Sequence, residues 1–208
     1  AWLAIAVAVL QKGLVAIVLP GAAIVVYALL QRDARLLLRI RLLEGAAIVL
    51  VVAAPWFIVV SQRNPEFASF FFIHEHFTRF LTKVHKRDEP WWYFLPWLVL
   101  GLLPWLVPVW RSLRTSWAAQ AGTAFHNARF LLIWPAVTLL FFSVSGSKLP
   151  PYIVPMLPPL LLLAAHWLVS RGSGAAAALR RGVLPLAAVV GALLVAAGAA
   201  VLMKLSPK

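Results

Sequence analysis

The chain has 208 residues, 63% of them hydrophobic, and its mean hydropathy is +0.91. A soluble domain of this length cannot bury so much apolar surface in one core, so we expect the chain to lie in a membrane. It contains no cysteine, which excludes disulfides, thiolate metal ligands and a cysteine nucleophile. The formal net charge of +13 would favour nucleic acid in a soluble protein. Here the basic residues lie between apolar runs, so we expect membrane lipids and no nucleic acid as partners.

Long apolar stretches predict an all-α integral membrane fold, because each approaches the ~20 residues that a helix needs to cross a bilayer. They cover residues 14–30, 45–60, 91–110, 130–143, 152–170 and 183–203, and residues 1–10 resemble part of another span. The whole chain, 1–208, is interpreted as one transmembrane domain of six spans plus a partial one, with a polar loop at residues 61–90. Because the chain begins in an apolar run without an initiator methionine, we expect a fragment of a longer protein.

The distribution of lysine and arginine sets the expected orientation. One set of loops contains ten such residues, all arginine, and the other side contains nine. The first set lies in short loops at residues 31–43, 111–129 and 171–181, close to span ends, where the positive-inside rule works best, so we place it in the cytoplasm. The other side, which includes the 61–90 loop, then has an unusual external excess of positive charge. We expect function there.

The segment from Phe70 to Arg87 predicts a helix in the membrane interface on the external side. At helical period its apolar side chains fall on one face and its basic ones on another. The apolar face contains Phe70, Ile73, Phe77, Phe80, Leu81 and Val84, and the basic face contains His76, Arg79, Lys83 and Lys86. Such a helix lies with its apolar side in lipid and its cationic side toward an anion, here a lipid phosphate.

His74 and His76 flank Glu75 and form a His-x-His pair. In extended backbone both rings point the same way and can share a metal, whereas in a helix they point to nearly opposite faces. The chain offers no clear third ligand, so a complete site needs a residue from elsewhere. The alternative is that both histidines simply belong to the interfacial cationic patch.

The string Ser143-Val144-Ser145-Gly146-Ser147-Lys148-Leu149-Pro150-Pro151-Tyr152 predicts an extended, non-helical connection, because each proline removes an amide donor and restricts the residue before it. Irregular backbone at membrane depth is tolerated beside a cavity or inside protein. Lys148 and Tyr152 are therefore predicted to donate to phosphate oxygens in an outer cavity.

Lys12 interrupts two apolar runs, a costly place for an ammonium group unless it reaches the interface or meets an anion. For Lys12 and for Lys148, the alternative is a side chain that snorkels to the membrane surface. The acidic residues lie in loops or at span ends, so the chain offers no obvious catalytic base. The catalytic residue is left unknown.

Four strings resemble a known family: QKGLVAIVLPG from Gln11, the run from Ala54 to Phe80 that contains IHEHF, EPWWYFLPWLVLGLLPW from Glu89, and SGSKLPPYIVPMLPPL from Ser145. They look like the bacterial polyprenyl-phosphate glycosyltransferases related to protein O-mannosyltransferases, and most like the 4-amino-4-deoxy-L-arabinose transferases that modify lipid A. The resemblance covers most of the chain between Gln11 and Leu160.

The resemblance implies a GT-C membrane fold, a periplasmic active site, an undecaprenyl-phosphate aminosugar donor, a lipid A phosphate acceptor and inverting transfer. By motif position, Lys12, Arg79 and Tyr152 would line the donor-phosphate cavity, with Lys148 as a further cation. His74 and His76 would hold a structural zinc together with a carboxylate from an earlier loop, and no cofactor would be needed for the chemistry. The family's acidic loops and soluble domain are absent from this chain, so we expect the fragment alone to be inactive.

Two other functions stay open at this point. Within enzymes, the sugar acceptor is instead a protein hydroxyl or another glycan. From another class, a transporter or flippase of polyprenyl-linked sugars also requires cations beside a lipid cavity.

Overall fold

The computed structural model describes residues 1–78, 89–117, 125–174, 177 and 179–205, and these ranges contain helices and no strand. The α-helices in them are α1 (Trp2–Lys12), α2 (Val15–Gln31), α3 (Arg35–Arg39), α4 (Leu42–Arg63), α5 (Phe94–Gly101), α6 (Leu106–Ser116), α7 (Asn127–Val144), α8 (Leu157–Val169) and α9 (Leu184–Leu205). The all-α membrane fold predicted from the sequence is confirmed.

Several connections are also helical but of other types. The 3₁₀-helices are Leu103–Trp105, Pro150–Met156 and Gly172–Gly174, and the π-helices are Ser69–Thr78 and Leu179–Val183. Ser69–Thr78 lies inside the predicted polar loop, at the start of the predicted interfacial helix. The rest of that predicted helix, residues 79–87, lies outside the described residues.

Four helices of the described part are long and apolar enough to cross a membrane: Leu42–Arg63, Asn127–Val144, Pro150–Val169 and Leu179–Ala196. They coincide with four of the predicted spans. The predicted span at 91–110 is broken, because α5 and the following Leu103–Ser116 helix meet at a bend of 72°. Pro104 lies at this break, where its ring and missing amide donor disfavour a continuous α-helix. The predicted span at 14–30 corresponds to α2, which has 17 residues.

The contacts divide the chain into two compact units, one formed by Ala1–Phe94 with Ile133–Ile153, the other by Leu95–Leu132 with Val154–Lys208. In the first unit, α1 packs against α2 and α4. The Trp2 indole N–H donates to the Ile40 carbonyl at 2.9 Å, and a Cβ atom at Gly45 would overlap the indole ring. The buried residues of these helices include the small Ala6, Ala23 and Ala53, as is typical where membrane helices approach closely.

In the second unit, α6 packs against α8, and the Leu179–Val183 π-helix packs against both α6 and α9. The buried residues of α8 include Leu160, Leu163, Ala164 and Trp167. The opposite sides of these helices expose large apolar residues, for example Leu162 and Val169, as expected for helices surrounded by lipid.

Candidate functional site

A short non-helical turn between α7 and the Pro150–Met156 helix buries three polar side chains. Ser145, Ser147 and Lys148 are only 3%, 2% and 7% exposed. The Ser145 hydroxyl donates to the Ser147 carbonyl at 3.1 Å, and the Ser147 amide donates to the Ser145 hydroxyl at 3.3 Å. These two hydrogen bonds close the turn just before the prolines. We refer to residues 145–148 as the SGSK turn.

The Lys148 ammonium lies inside this turn. Its Nζ donates to the Ser145 carbonyl at 2.8 Å. A carbonyl can accept from one of the three ammonium donors. A buried charge is stabilised by hydrogen bonds and by an opposite charge. A buried ammonium group next to a buried hydroxyl is therefore a candidate contact for a phosphate.

The Ser147 hydroxyl gives a second reason to expect a ligand. Its Oγ is buried and has no hydrogen-bond partner among the described residues. An unsatisfied buried polar atom costs roughly 1–3 kcal/mol, so it usually indicates an absent ligand or water. Ser147 was not predicted as a site residue. The signal available in the sequence was only a small polar residue next to Lys148, which does not show whether a hydroxyl is buried.

Tyr152 follows the turn in the Pro150–Met156 helix and is half-buried. Its ring packs on Phe142 with centroids 4.8 Å apart, and Phe142 packs on the fully buried Phe94 at 6.4 Å. These aromatic contacts hold Tyr152 near the SGSK turn. The predicted extended connection is thus confined to residues 145–149, because Pro150 opens a 3₁₀-helix, and proline fits the first turn of a helix without losing a hydrogen bond.

Lys12 is the last residue of α1 and is exposed. The chain turns immediately after it at Gly13, whose φ of 70° favours glycine and whose amide donates to the Val9 carbonyl. Among the described residues Lys12 forms no ion pair. Its predicted role at the donor phosphate is therefore not tested by this geometry. Arg79, predicted at the same phosphate, lies outside the described residues.

The Ser69–Thr78 π-helix carries the histidine pair and is anchored to α4 by aromatic rings. Phe71 and Phe72 both pack on Phe57, with centroids 5.3 and 5.5 Å apart. Phe70 and Ile73 are 54% and 56% exposed, in agreement with the predicted lipid-facing side. A π-helix is wider than an α-helix, so the α-helical period used to assign the faces does not hold here.

His74 is half-buried and stacks on Phe70, with centroids 5.2 Å apart. The backbone at 74–76 is helical, which directs side chains two residues apart to different sides, so the extended arrangement in which two rings share a metal is not observed. The side chain of His76 lies outside the described part of the chain. The described residues contain no cluster of three possible metal ligands, whereas a structural zinc site needs about four. The described residues alone therefore do not fit a zinc ion.

Fold and site together define a multi-pass helical membrane protein with a buried cationic turn between two spans. No family model matches the chain. Over 175 residues it is 36% identical to undecaprenyl phosphate-alpha-4-amino-4-deoxy-L-arabinose arabinosyl transferase 1 of Pseudomonas fluorescens, a match that covers 82% of this chain and 31% of the relative. The transferase of the same description from Pseudomonas aeruginosa is 40% identical over 167 residues, covering 78% of this chain and 29% of the relative.

Solved structures agree with these relatives. The crystal structure of ArnT from Cupriavidus metallidurans bound to undecaprenyl phosphate matches with a TM-score of 0.72 and 45% identity, covering 80% of this chain and 30% of that chain. The apo structure of the same protein matches with a TM-score of 0.68. Over the matched segment the chain therefore belongs to the family of bacterial polyprenyl-phosphate glycosyltransferases that these proteins represent. It spans about 30% of their length.

Proposed function

We propose that the chain is part of an enzyme that transfers 4-amino-4-deoxy-L-arabinose from undecaprenyl phosphate to a lipid A phosphate at the periplasmic face of the bacterial inner membrane. The observation that carries this proposal is the SGSK turn, where a buried ammonium group and an unsatisfied buried hydroxyl lie on adjacent residues. Its chemistry suits a lipid-linked phosphate. The relatives named for this transfer, and the matched structure with undecaprenyl phosphate, support the choice of donor.

The proposed reaction breaks the bond between the sugar C1 and the donor phosphate oxygen, and an oxygen of the acceptor phosphate forms the new bond to C1 with inversion. Negative charge grows on the leaving undecaprenyl phosphate as the bond breaks. A cation held beside that phosphate stabilises the transition state more than the ground state and so raises the rate. An acceptor phosphate is already an anion and needs little deprotonation.

Lys148 and Ser147 are the proposed donors to the leaving phosphate, with the Tyr152 phenol beside them. Lys12 and Arg79 complete the proposed set from other parts of the sequence. Arginine would contribute a planar fork that grips two phosphate oxygens, which a lysine cannot reproduce. The contacts of the described residues support Lys148 and Ser147 most directly. The roles of Lys12 and Arg79 rest on the family resemblance.

The test uses the intact enzyme in lipid nanodiscs with an undecaprenyl-phosphate aminosugar donor and lipid A as acceptor. We expect transfer, and we expect Arg79→Ala and Lys12→Ala each to lower donor use by roughly ten- to a hundredfold, because a charge-assisted hydrogen bond contributes about 1.5–3 kcal/mol. Arg79→Lys should rescue only in part. The matched control is Arg63→Gln, which removes an exposed arginine at the end of α4 and should transfer sugar normally. Undiminished activity in Arg79→Ala and Lys12→Ala would remove both residues from the site.

A structural zinc at His74 and His76 is a separate proposal, motivated by the resemblance and by the His-x-His spacing. It requires further ligands from the longer protein and assigns no catalytic step to the metal. Metal analysis of the intact enzyme should find about one zinc per chain, and replacing both histidines with alanine should remove it. If the wild-type protein contains no metal, both histidines belong to the interfacial cationic patch instead.

A transporter of lipid-linked sugars is the second candidate, and the 72° break between α5 and the Leu103–Ser116 helix favours it. Discontinuous helices are typical of transporter substrate sites. The two candidates differ in product. Movement of the intact sugar-lipid across vesicles without formation of glycosylated lipid A would favour transport, and glycosylated lipid A would favour the enzyme.

A further inference from the structure

Three arginines of the second unit stack on tryptophan rings. The guanidinium of Arg114 lies 4.8 Å from the Trp110 ring, that of Arg129 lies 5.7 Å from Trp117, and that of Arg171 lies 4.2 Å from Trp167. We call these three pairs the Trp–Arg stacks. Two of them have the i, i+4 spacing that places side chains on one helix face, at the ends of α6 and α8.

The path of the chain brings the stacks to the same membrane surface. Arg129 Nε, at the start of α7, donates to the Trp117 carbonyl just after α6, at 3.2 Å, so the end of α6 and the start of α7 are adjacent. Asn127–Val144 and Pro150–Val169 are consecutive candidate spans, and two consecutive spans return the chain to its starting side. Arg171 follows the second of them. All three stacks therefore lie at the surface predicted to be cytoplasmic.

The charge around the stacks has one sign. No aspartate or glutamate occurs anywhere from residue 90 to residue 208, whereas this part of the sequence contains nine lysines and arginines. Arg114 and Arg171 are exposed, and neither forms an ion pair with a carboxylate of the described residues. The exposed Arg180 and Arg181 follow in the same inter-span loop. The second unit of this chain thus contains no acidic side chain.

We propose that the Trp–Arg stacks form a binding surface for the head groups of anionic phospholipids in the cytoplasmic leaflet. Trp110 and Trp117 are 57% and 53% exposed, so their rings are available to the interface, where indole is favoured. A guanidinium laid over an indole keeps its donors at the ring edge and loses less freedom when it binds a phosphate. Basic groups between the ends of membrane helices are a known type of anionic-lipid site. This proposal does not depend on the transferase reaction.

The experiment measures lipid retention by native mass spectrometry of the intact protein in detergent, titrated with phosphatidylglycerol or with phosphatidylethanolamine. We expect the wild type to retain the anionic lipid in preference to the other. One basic residue near a membrane surface contributes about 1 kcal/mol, which is about fivefold in affinity. The triple variant Arg114→Gln, Arg129→Gln, Arg171→Gln should therefore bind phosphatidylglycerol roughly a hundredfold more weakly.

The matched control is the triple variant Arg32→Gln, Arg35→Gln, Arg39→Gln. It removes the same charge from a loop predicted on the same side, where the described residues show no tryptophan stack. This control should weaken phosphatidylglycerol binding clearly less than the stack variant does, because its arginines are not positioned by tryptophan rings. Equal losses in both triple variants, or no preference for the anionic lipid in the wild type, would overturn the proposal. An Arg→Lys triple at the stacks keeps the charge and should lose affinity only in part, which guards against misfolding of the glutamine variant.

Discussion

Two groups of cations in this protein have opposite surroundings. Lys148 is buried in the SGSK turn, with a backbone carbonyl as acceptor, whereas Arg114 and Arg171 are exposed and rest on tryptophan rings. A buried ammonium is costly to desolvate, so we propose that Lys148 contacts a phosphate at one defined position. An exposed guanidinium stays hydrated at little cost, and we propose that the tryptophan rings position it for an anionic head group. On these proposals, burial distinguishes a substrate contact from a membrane contact.

On the predicted topology, the SGSK turn and the Trp–Arg stacks lie on opposite sides of the membrane. In the intact protein, freed of other cysteines, Ser69→Cys should react with an impermeant thiol reagent added from outside, and Thr115→Cys should react only after the membrane is opened. Both positions are exposed, whereas the nearby Ser112 is buried and donates to the Val109 carbonyl, so it is unsuitable for labelling. This effect is all-or-none. Labelling of both cysteines from the same side would show that the orientation is wrong.

Removing the buried charge should have the next largest effect. Lys148→Met keeps a long apolar side chain but loses the ammonium, and we expect donor binding to weaken by roughly ten- to a hundredfold. Arg114→Gln removes one exposed charge and should leave donor binding unchanged. The measurement is donor binding by the intact enzyme in nanodiscs, with gel filtration of each variant as the folding control. Equal effects of both substitutions would remove the distinction between the two groups.

Ser147→Ala distinguishes a ligand-binding hydroxyl from a structural one. Its Oγ has no partner among the described residues, so its removal should leave the thermal stability of the ligand-free protein unchanged or slightly raised. Donor binding should weaken by about two- to tenfold, because a hydrogen bond contributes about 0.5–1.5 kcal/mol. A loss of stability without a change in donor binding would assign Ser147 to the fold alone.

Tyr152→Phe should have the smallest effect. The ring contact with Phe142 is kept, and only the phenol oxygen is lost. We expect donor affinity to fall by a few-fold, less than in Ser147→Ala, because Tyr152 is half-buried and water can replace its hydroxyl. Binding isotherms of the two variants measured side by side test this order. A larger loss for Tyr152→Phe would make the phenol, and not the turn, the main neutral donor.

The membrane class and most of the spans could be predicted from the sequence. A run of about twenty apolar residues predicts a membrane-spanning helix independently of the rest of the chain. Four predicted spans coincide with helices of sufficient length. The break in the 91–110 region also had a local signal in Pro104. The orientation and the single-domain boundaries stay predictions. So do the site roles of all the predicted residues, which are Lys12, Arg79, Lys148, Tyr152, His74 and His76.

At the site, the residue types were visible in the sequence and their surroundings were not. Lys148 and Tyr152 stood out because a cation and a phenol beside paired prolines are unusual in an apolar chain. The buried state of Ser147 was decided only by the tertiary structure, since burial depends on which distant residues pack around the turn. The π-helical form of Ser69–Thr78 was also decided only by the tertiary structure. Phe71 and Phe72 of this helix both pack on Phe57, and the α-helical period assumed from the sequence does not apply there. Local sequence thus determined where the spans lie, whereas packing between distant segments determined which polar side chains are buried.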